Sequence, residues 1–260
     1  MDRVPELNDL IADSRLENGD INLPAAQRGS DSPLVELVWH SHSAQGGAFT
    51  SVANSHSEIV ISKFQHDTIV TVRGPETRAT AAFAPPDAEF FGIIFKLGAF
   101  MPKFPPGMVM DRRDVNLPQA GGRSFWLDSS AWEFPSFENA DSFVQRLVRA
   151  ELLVYDPLVV GVLREQPHAL PPISRRTLQR RFLQATGLTY NGIAQIQRAR
   201  YATDLLKQRV PILDTVELAG YADQPHLTRA LRHFMGNTPR QIIRRDTDQP
   251  MSFLFKTPRD

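Results

Sequence analysis

Residues 223–241, DQPHLTRALRHFMGNTPRQ, decide the fold expected for the carboxy-terminal part of this 260-residue chain. Leu227, Leu231 and Phe234 recur at i, i+4 and i+7, which is the apolar stripe of a surface helix. The leading aspartate is suited to cap the start of that helix, and Gly236 is suited to end it. The stretch therefore predicts one short amphipathic helix.

A second, shorter helix is expected just upstream. Residues 212–218, ILDTVEL, follow Pro211, and Ala219 and Gly220 provide a turn before the amphipathic helix begins. Two helices joined by a turn that contains glycine form a helix-turn-helix unit. Taken alone, the segment is more typical of an ordinary helical hairpin.

The pattern of the amphipathic helix occurs twice. Residues 174–189, SRRTLQRRFLQATGLT, align with the later stretch at a constant offset of 49 positions. The matched pairs are Leu178 with Leu227, Arg180 with Arg229, Phe182 with Leu231, Gly187 with Gly236, and Thr189 with Thr238. We call the two helices the first and second reading helix, and a longer helix over about residues 190–208, apolar on more than one side, is expected to bridge them.

The outward faces of both helices carry side chains suited to DNA. In the first reading helix these are Arg176, Gln179 and Arg180, and in the second they are Pro225, Thr228 and Arg229. Arginine can bind both major-groove acceptors of guanine, and glutamine can pair with adenine. Arg175, Arg181 and Arg232 lie nearer the flanks and are expected to contact phosphates, which orient the protein without specifying sequence.

These residues resemble the DNA-binding region of the AraC/XylS family of bacterial transcription regulators over roughly residues 139–245. The most specific matches are SRRTLQRRFLQATGLT and GYADQPHLTRALRHFMGNTPRQI. The resemblance implies two helix-turn-helix units on a long helix, preceded by a cupin-like β-barrel that senses an effector or mediates dimerisation. By position, it places the base-contacting residues at Arg176, Gln179, Arg180, Gln224, Thr228 and Arg229. One departure is QPHALPPI before Ser174, which is longer and richer in proline than the family's turn.

Composition fits a globular, DNA-binding protein. The formal net charge is zero, yet residues 174–245 contain 13 Lys and Arg against 4 Asp and Glu. Such a basic segment suits a polyanionic partner. The absence of cysteine excludes disulfides, thiolate nucleophiles and cysteine-bound zinc. No apolar run long enough for a membrane span occurs, and the amino terminus lacks the order of a secretion signal, so we expect a cytoplasmic protein without a membrane partner.

The amino-terminal half is expected to be β-rich. Short β-type runs begin at Leu34 and are separated by Gly, Asn, Asp, Ser and Pro, as in an antiparallel sandwich or barrel. The expected fold class is therefore α+β with two domains: an antiparallel, cupin-like β-barrel followed by an all-α double helix-turn-helix. The expected divisions are an extension at 1–33, a β-rich domain at 34–137, the DNA-binding domain at 138–245, and a tail without assigned role at 246–260.

Ligand and metal sites in the β-rich part are open at this stage. Candidate residues for an effector pocket are Trp39, Phe49, Phe64 and Phe95, and plain core packing is the alternative for them. The aromatic residues of 125–137 offer the same two alternatives. His40 and His42 form a His-x-His pattern typical of metal cupins, but Gln45 and Gly46 stand where a carboxylate ligand is expected. We therefore favour ordinary histidines, including His56 and His66, and expect no metal and no cofactor.

The function that these patterns favour is sequence-specific regulation of transcription. The resemblance implies activation by contact with RNA polymerase, so the expected partners are double-stranded DNA, RNA polymerase, a small-molecule effector and a second copy of the chain. No phosphate-binding glycine loop, dinucleotide fingerprint or GxSxG motif is present, so we do not expect an enzyme. The alternatives are a metal-dependent cupin enzyme with a helical appendage and a non-specific nucleic-acid-binding protein.

Overall fold

The computed structural model describes residues 26–65, 67–111, 113–163, 173–244 and 251–252. Strands occupy most of residues 26–133, which we call the β-domain, and helices occupy residues 173–244, which we call the helical domain. The expected two-domain α+β fold class is confirmed. In the described residues the strands form several sheets rather than one closed barrel.

The main sheet of the β-domain has six strands, and each neighbouring pair is antiparallel. In spatial order the strands are β1 (Ala26–Arg28), β2 (Val35–Ser43), β7 (Ala88–Phe95), β4 (Glu58–Phe64), β5 (Asp67–Arg73) and β9 (Val115–Leu117). Side chains alternate between the two faces of a strand. Accordingly, Val38 enters the large core on one face, whereas Trp39 packs with Val60 and Ile94 on the other.

Three smaller sheets complete the strand structure. A three-stranded sheet is formed by β14 (Met251–Ser252), β3 (Gly47–Ser51) and β6 (Thr80–Ala84), in which β14 runs parallel to β3. A second contains β10 (Gln119–Gly121), β11 (Ser124–Leu127) and β12 (Ser130–Glu133), and a third pairs β8 (Ala99–Phe100) with β13 (Val154–Tyr155).

Helix α1 (Ala140–Arg149) packs on the β-domain. Its buried residues Phe143, Val144 and Leu147 join the large core of the main sheet. The sequence places these residues in the DNA-binding domain expected at 138–245. The helix ends at Arg149, Glu151 adopts a left-handed φ of 56°, and β13 follows. The expected division at residues 137 and 138 thus separates elements that share one core.

The remaining helices lie between residues 158 and 244, and several of them begin at a capping residue. They are α2 (Leu158–Leu163), α3 (Arg175–Thr186), α4 (Tyr190–Lys207), α5 (Ile212–Leu218), α6 (Gln224–Met235) and α7 (Pro239–Arg244). Helix α3 is the first reading helix, α6 is the second, and α4 is the bridge helix. The side chain of Thr189 accepts a hydrogen bond from Gly192 N at the start of the bridge helix. Thr238 and Gln241 form a reciprocal capping pair at the start of α7.

The bridge helix is buried along most of its length. Ile193, Ile196 and Leu206 lie in the core that joins both helix-turn-helix units, as expected for a bridge. Tyr201, in the same helix, is 48% exposed. The core of the helical domain therefore forms around a single long helix.

Two expectations for the ends of the chain need correction. Residues 26–28 fall within the expected extension at 1–33, yet they pair with β2 as an edge strand. Met251 and Ser252 fall within the tail, yet they pair with β3. The QPHALPPI segment lies, apart from Ile173, outside the described residues. No helix in the described part of the chain is long and apolar enough to cross a membrane.

Candidate nucleic-acid interface

The second reading helix buries one face and exposes a cationic one. Leu227, Leu231 and Met235 are fully buried, so the inward stripe continues to Met235, while Phe234 is only half-buried. At the start of the helix, Asp223 Oδ1 accepts a hydrogen bond from His226 N at 2.6 Å. At the end, Gly236 adopts the left-handed φ of 74° that a helix-terminating glycine supplies. The helix is thus fixed at both ends by its own sequence.

The predicted base-contacting residues of this helix differ in exposure. Gln224 and Arg229 are exposed, as is Arg232, the predicted phosphate contact. Thr228 is half-buried, and its hydroxyl donates to Gln224 O at 2.9 Å. A hydroxyl that donates within the helix can still accept a hydrogen bond from outside. All four residues remain available to a ligand, with Thr228 only as an acceptor in this arrangement.

The first reading helix has the same construction. Ser174 Oγ accepts a hydrogen bond from Thr177 N at 3.1 Å, and Gly187 ends the helix with φ 70°. Phe182 and Ala185 are buried, whereas Leu178, the expected inward reference, is half-buried. The predicted base-contacting and phosphate-contacting residues that lie fully exposed are Arg175, Arg176, Gln179 and Arg180.

Arg181 is the predicted phosphate contact that already has a partner. Its Nε and Nη2 donate to the two carboxylate oxygens of Asp156 at 2.9 and 2.8 Å. Asp156 comes from the connection between β13 and α2, so this pair ties the first reading helix to that connection. A phosphate contact by Arg181 stays a prediction, and it requires Nη1 or an exchange of partner.

The electrostatics of both reading helices favour an anion. Neither helix contains an acidic residue. Within the part of the chain that the structure describes, Arg176, Arg180 and Arg229 form no ion pair. Exposed arginines without carboxylate partners can displace the counterions of a phosphate backbone. This release of counterions favours DNA binding at low salt.

The four aromatic candidates for an effector pocket do not come together. Trp39 and Phe95 are both buried but lie on opposite faces of the main sheet, because they belong to different clusters. Phe49 and Phe64 are half-buried on β3 and β4. Trp39 and Phe95 therefore do not line one pocket together, because residue type alone does not reveal which face each strand position takes. A role of Phe49 or Phe64 in an effector pocket stays a prediction.

A small cleft lies elsewhere on the β-domain. It has a volume of about 180 Å³, and its lining includes His40, Lys63, Glu89, Phe91 and Phe137. It contains none of the four predicted aromatic residues. Its volume is below the roughly 300–1,000 Å³ typical of pockets for drug-sized ligands. The cleft suits at most a small molecule.

The aromatic residues of 125–137 fall into two groups, one packed in the core and one beside the cleft. Phe125 stacks on Phe134 with centroids 5.7 Å apart, and Trp132 meets Phe143 edge-on at 6.0 Å, so these rings pack α1 against the sheet. Phe137 instead lines the cleft.

The histidines show no metal site in the described residues. His40 lies at the cleft, and His42 Nε2 is 3.6 Å from Asp87 Oδ1. Burial, with a further contribution from Arg200, lowers the pKa of His56 to about 3. No group of three or more His, Cys, Asp or Glu able to hold a metal occurs among the residues described, and His66 lies outside them.

Buried carboxyl groups in the β-domain were missed at the sequence level. Burial raises the pKa of Glu58, whose Oε2 accepts from Trp39 Nε1 at 3.2 Å. Burial also raises the pKa of Glu76 to about 7, although Ser51 Oγ donates to it at 2.9 Å. Arg73 lies between Glu58 and Asp114. The strand pairing that brings these groups together is non-local, so no local pattern announces them.

Comparison with known proteins supports the assignment of the helical domain as a helix-turn-helix domain. Residues 172–245 match a family model described as a helix-turn-helix domain. Two relatives are each called HTH-type transcriptional regulator RipA. The protein from Corynebacterium glutamicum is 37% identical over 90 residues, which are 35% of this chain and 27% of the relative. The protein from Corynebacterium diphtheriae is 37% identical over 67 residues, 26% of this chain and 20% of the relative.

The matches thus span about a quarter of the length of these relatives. No solved structure matches the chain with comparable significance.

Proposed function

We propose that this chain, whose residues 172–245 are a helix-turn-helix domain of the AraC type, is a sequence-specific regulator of transcription. The observation that carries the proposal is the duplication of one construction. Each reading helix has a polar N-cap, a buried inner face, exposed arginines and a left-handed glycine at its end. Two such helices on one bridge suit successive segments of the major groove on one face of DNA.

The proposed roles of the exposed residues follow from their chemistry. Arg176, Arg180 and Arg229 carry forks suited to guanine, and Gln179 and Gln224 carry amides suited to adenine. The Thr228 hydroxyl, which donates to Gln224 O, can accept a hydrogen bond from the amino group of adenine or cytosine. Arg175 and Arg232 contact phosphates, as does Arg181 if its pair with Asp156 opens. Each good base contact supplies about 1–3 kcal/mol of discrimination.

The mode of regulation is proposed on the basis of the family resemblance alone. It implies activation by contact with RNA polymerase, control by a small effector, and a homodimer. We propose the cleft beside His40, Phe91 and Phe137 as the candidate site for a small effector. A regulator of this kind acts in the bacterial cytoplasm, where the chromosome lies.

Selection of genomic DNA fragments by the full chain tests the proposal. Fragments bound by the unmodified chain should share a motif, and Arg229→Ala and Arg180→Ala should each lose one position of it. Arg149→Ala is the matched control, because it removes an exposed arginine of α1 outside the helical domain.

The result that would overturn the proposal is equal binding to all sequences. Binding that depends only on salt concentration indicates a non-specific nucleic-acid-binding protein instead. Loss of the motif in Arg149→Ala as well would show that the effect does not come from the reading helices.

A further inference from the structure

The β-domain contacts the second reading helix at its carboxy-terminal end. Ala53 N donates to Phe234 O, and Ala79 N donates to His233 O, both at 2.8 Å. The last carbonyl groups of a helix have no partner inside the helix. The β-domain therefore supplies two of the hydrogen bonds that complete this helix.

The glycine that ends this helix fits closely against the same surface. A Cβ atom added at Gly236 would lie 2.9 Å from Thr50 Cγ2 and 3.3 Å from Ala79 Cβ. Both distances are shorter than ordinary van der Waals contact between carbon atoms. The end of the second reading helix is thus in direct contact with β3 and with the residue that precedes β6.

The first reading helix meets the β-domain at the corresponding end. A Cβ atom added at Gly187 would lie 2.7 Å from Gly107 N and 2.8 Å from the carbonyl carbon of Pro106. The ion pair between Arg181 and Asp156 adds a second attachment. Asp156 N in turn donates to Gly98 O at 2.8 Å, so the pair is anchored to the β-domain.

The bridge helix joins the same contact surface. Arg200 is buried, and its Nη1 donates to Ala53 O at 3.1 Å, so Ala53 binds the bridge helix through its carbonyl and the second reading helix through its amide. Val52, Ala53 and Phe100 lie in one apolar cluster with residues of both reading helices, including Phe182 and Leu231. The β-domain therefore packs into the core of the helical domain.

We propose that the β-domain acts as a brace that holds the two reading helices at a fixed separation, and thereby sets the spacing between the two DNA elements that the chain reads. The inference rests on the proposed function. Two helices joined only through one bridge helix can tilt relative to each other. A second body that contacts the same end of both helices removes that freedom, because its backbone and close-packed contacts do not stretch.

The test uses the full chain and DNA of varied spacing. Selection with the unmodified chain first defines its two DNA elements, and binding is then measured on duplexes in which their separation is changed by one or two base pairs. One base pair shifts an element by about 3.4 Å and about 35°. The affinity of the unmodified chain should fall about tenfold per base pair, since at least one base contact is lost.

Gly236→Ala is the informative variant, and Gly220→Ala is its matched control. Gly220 also has a left-handed φ, 68° against 74°, but no atom lies within 4 Å of a Cβ added there. Both variants carry the same kind of backbone strain. Only Gly236→Ala also pushes the second reading helix away from the β-domain. The spacing preference is the ratio of the affinity at the selected spacing to the affinity at a spacing changed by one base pair. We expect Gly236→Ala to reduce this ratio at least about threefold, and Gly220→Ala to keep it unchanged.

A rescue variant identifies the cause. Adding Thr50→Ser to Gly236→Ala removes the methyl group nearest to the new Cβ, so it should restore the spacing preference. Asp156→Asn weakens the ion pair that attaches the first reading helix, and it adds no bulk. Asp141→Asn is its control, because it alters the ion pair between Asp141 of α1 and Arg28 of β1, away from both reading helices. Asp156→Asn keeps the test decisive if Gly236→Ala fails to fold in thermal unfolding.

The outcomes separate the two hypotheses. A motif with an unchanged spacing preference in Gly236→Ala and Asp156→Asn overturns the brace and leaves the proposed function standing. An equal loss in Gly236→Ala and Gly220→Ala, without rescue by Thr50→Ser, also overturns the brace, because backbone strain then explains it. If the unmodified chain selects no motif, the proposed function fails, and the brace fails with it.

Discussion

Arg181 and Asp156 form a two-point ion pair, in which both carboxylate oxygens accept from the guanidinium, and Asp156 Oδ1 also accepts from Leu158 N at 3.1 Å. One carboxylate thus binds the first reading helix and starts α2. Such two-point pairs have a defined geometry, which a single lysine cannot reproduce.

Removing either partner should destabilise the fold. Because the Arg181 side chain is 40% exposed, we expect Arg181→Ala or Asp156→Ala to lower the free energy of unfolding by only about 1 kcal/mol. The double variant should cost less than the sum of the two, by about 0.5–1 kcal/mol. Urea unfolding of the four proteins measures this coupling, and additive costs would contradict a direct interaction.

Arg229 and Arg232 should affect DNA binding differently. Arg229→Ala should relax specificity at one base position at a cost of about 1–3 kcal/mol, whereas Arg232→Ala should weaken binding to all sequences. The slope of affinity against salt concentration should fall by about one for Arg232→Ala, since one phosphate contact is lost. Titrations at several salt concentrations distinguish the two roles, and identical profiles would show that the assignment is wrong.

The caps of the reading helices should contribute measurably to stability. Asp223→Ala removes the acceptor of His226 N, and Ser174→Ala removes the acceptor of Thr177 N. Loss of such an N-cap costs about 0.5–2 kcal/mol. Asp223→Asn and Ser174→Thr are the controls, because both retain a capping oxygen, and thermal unfolding should rank them close to the unmodified chain.

Glu76 should make stability depend on pH. Its pKa rises from 4.5 to about 7 on folding, because burial disfavours the carboxylate. Below about pH 4.5 Glu76 is protonated in both the folded and the unfolded protein, so the free energy of unfolding carries no cost from its ionisation. As the pH rises towards 7, only the unfolded state ionises, so stability falls by an amount on the order of 1–3 kcal/mol.

Glu76→Gln tests this dependence, because glutamine keeps an acceptor for Ser51 and cannot ionise. The free energy of unfolding of the variant, minus that of the unmodified chain, should increase between about pH 4.5 and 7. Taking the difference also cancels the opposite contribution of His56, whose lowered pKa favours stability at higher pH. A difference that stays constant across this range would sink the assignment.

The helical domain was largely predictable because its signals are local. Ser174 and Asp223 cap helices that start at the next residue, and Gly187 and Gly236 end them. Each signal acts on hydrogen bonds within three or four residues, which a sequence pattern records directly. The 49-residue repeat links the two units from the sequence alone.

The β-domain was predictable in class but not in arrangement. The alternating runs indicate strands, yet nothing local tells that β2 and β4 both pair with β7. Without that register, a sequence cannot show that Trp39 and Phe95 lie on opposite faces of the sheet. Arg181 illustrates the same limit, since its partner Asp156 lies 25 residues away.

The short parallel pairing of Met251 and Ser252 with Thr50 and Ser51 bears on how the protein behaves when it is shortened. An uncovered strand edge is a template for another chain and a route to aggregation. Ending the chain before Met251 would uncover this edge of β3, which includes Thr50, the residue packed against Gly236. We expect such a shortened protein to self-associate in proportion to its concentration, which light scattering would detect.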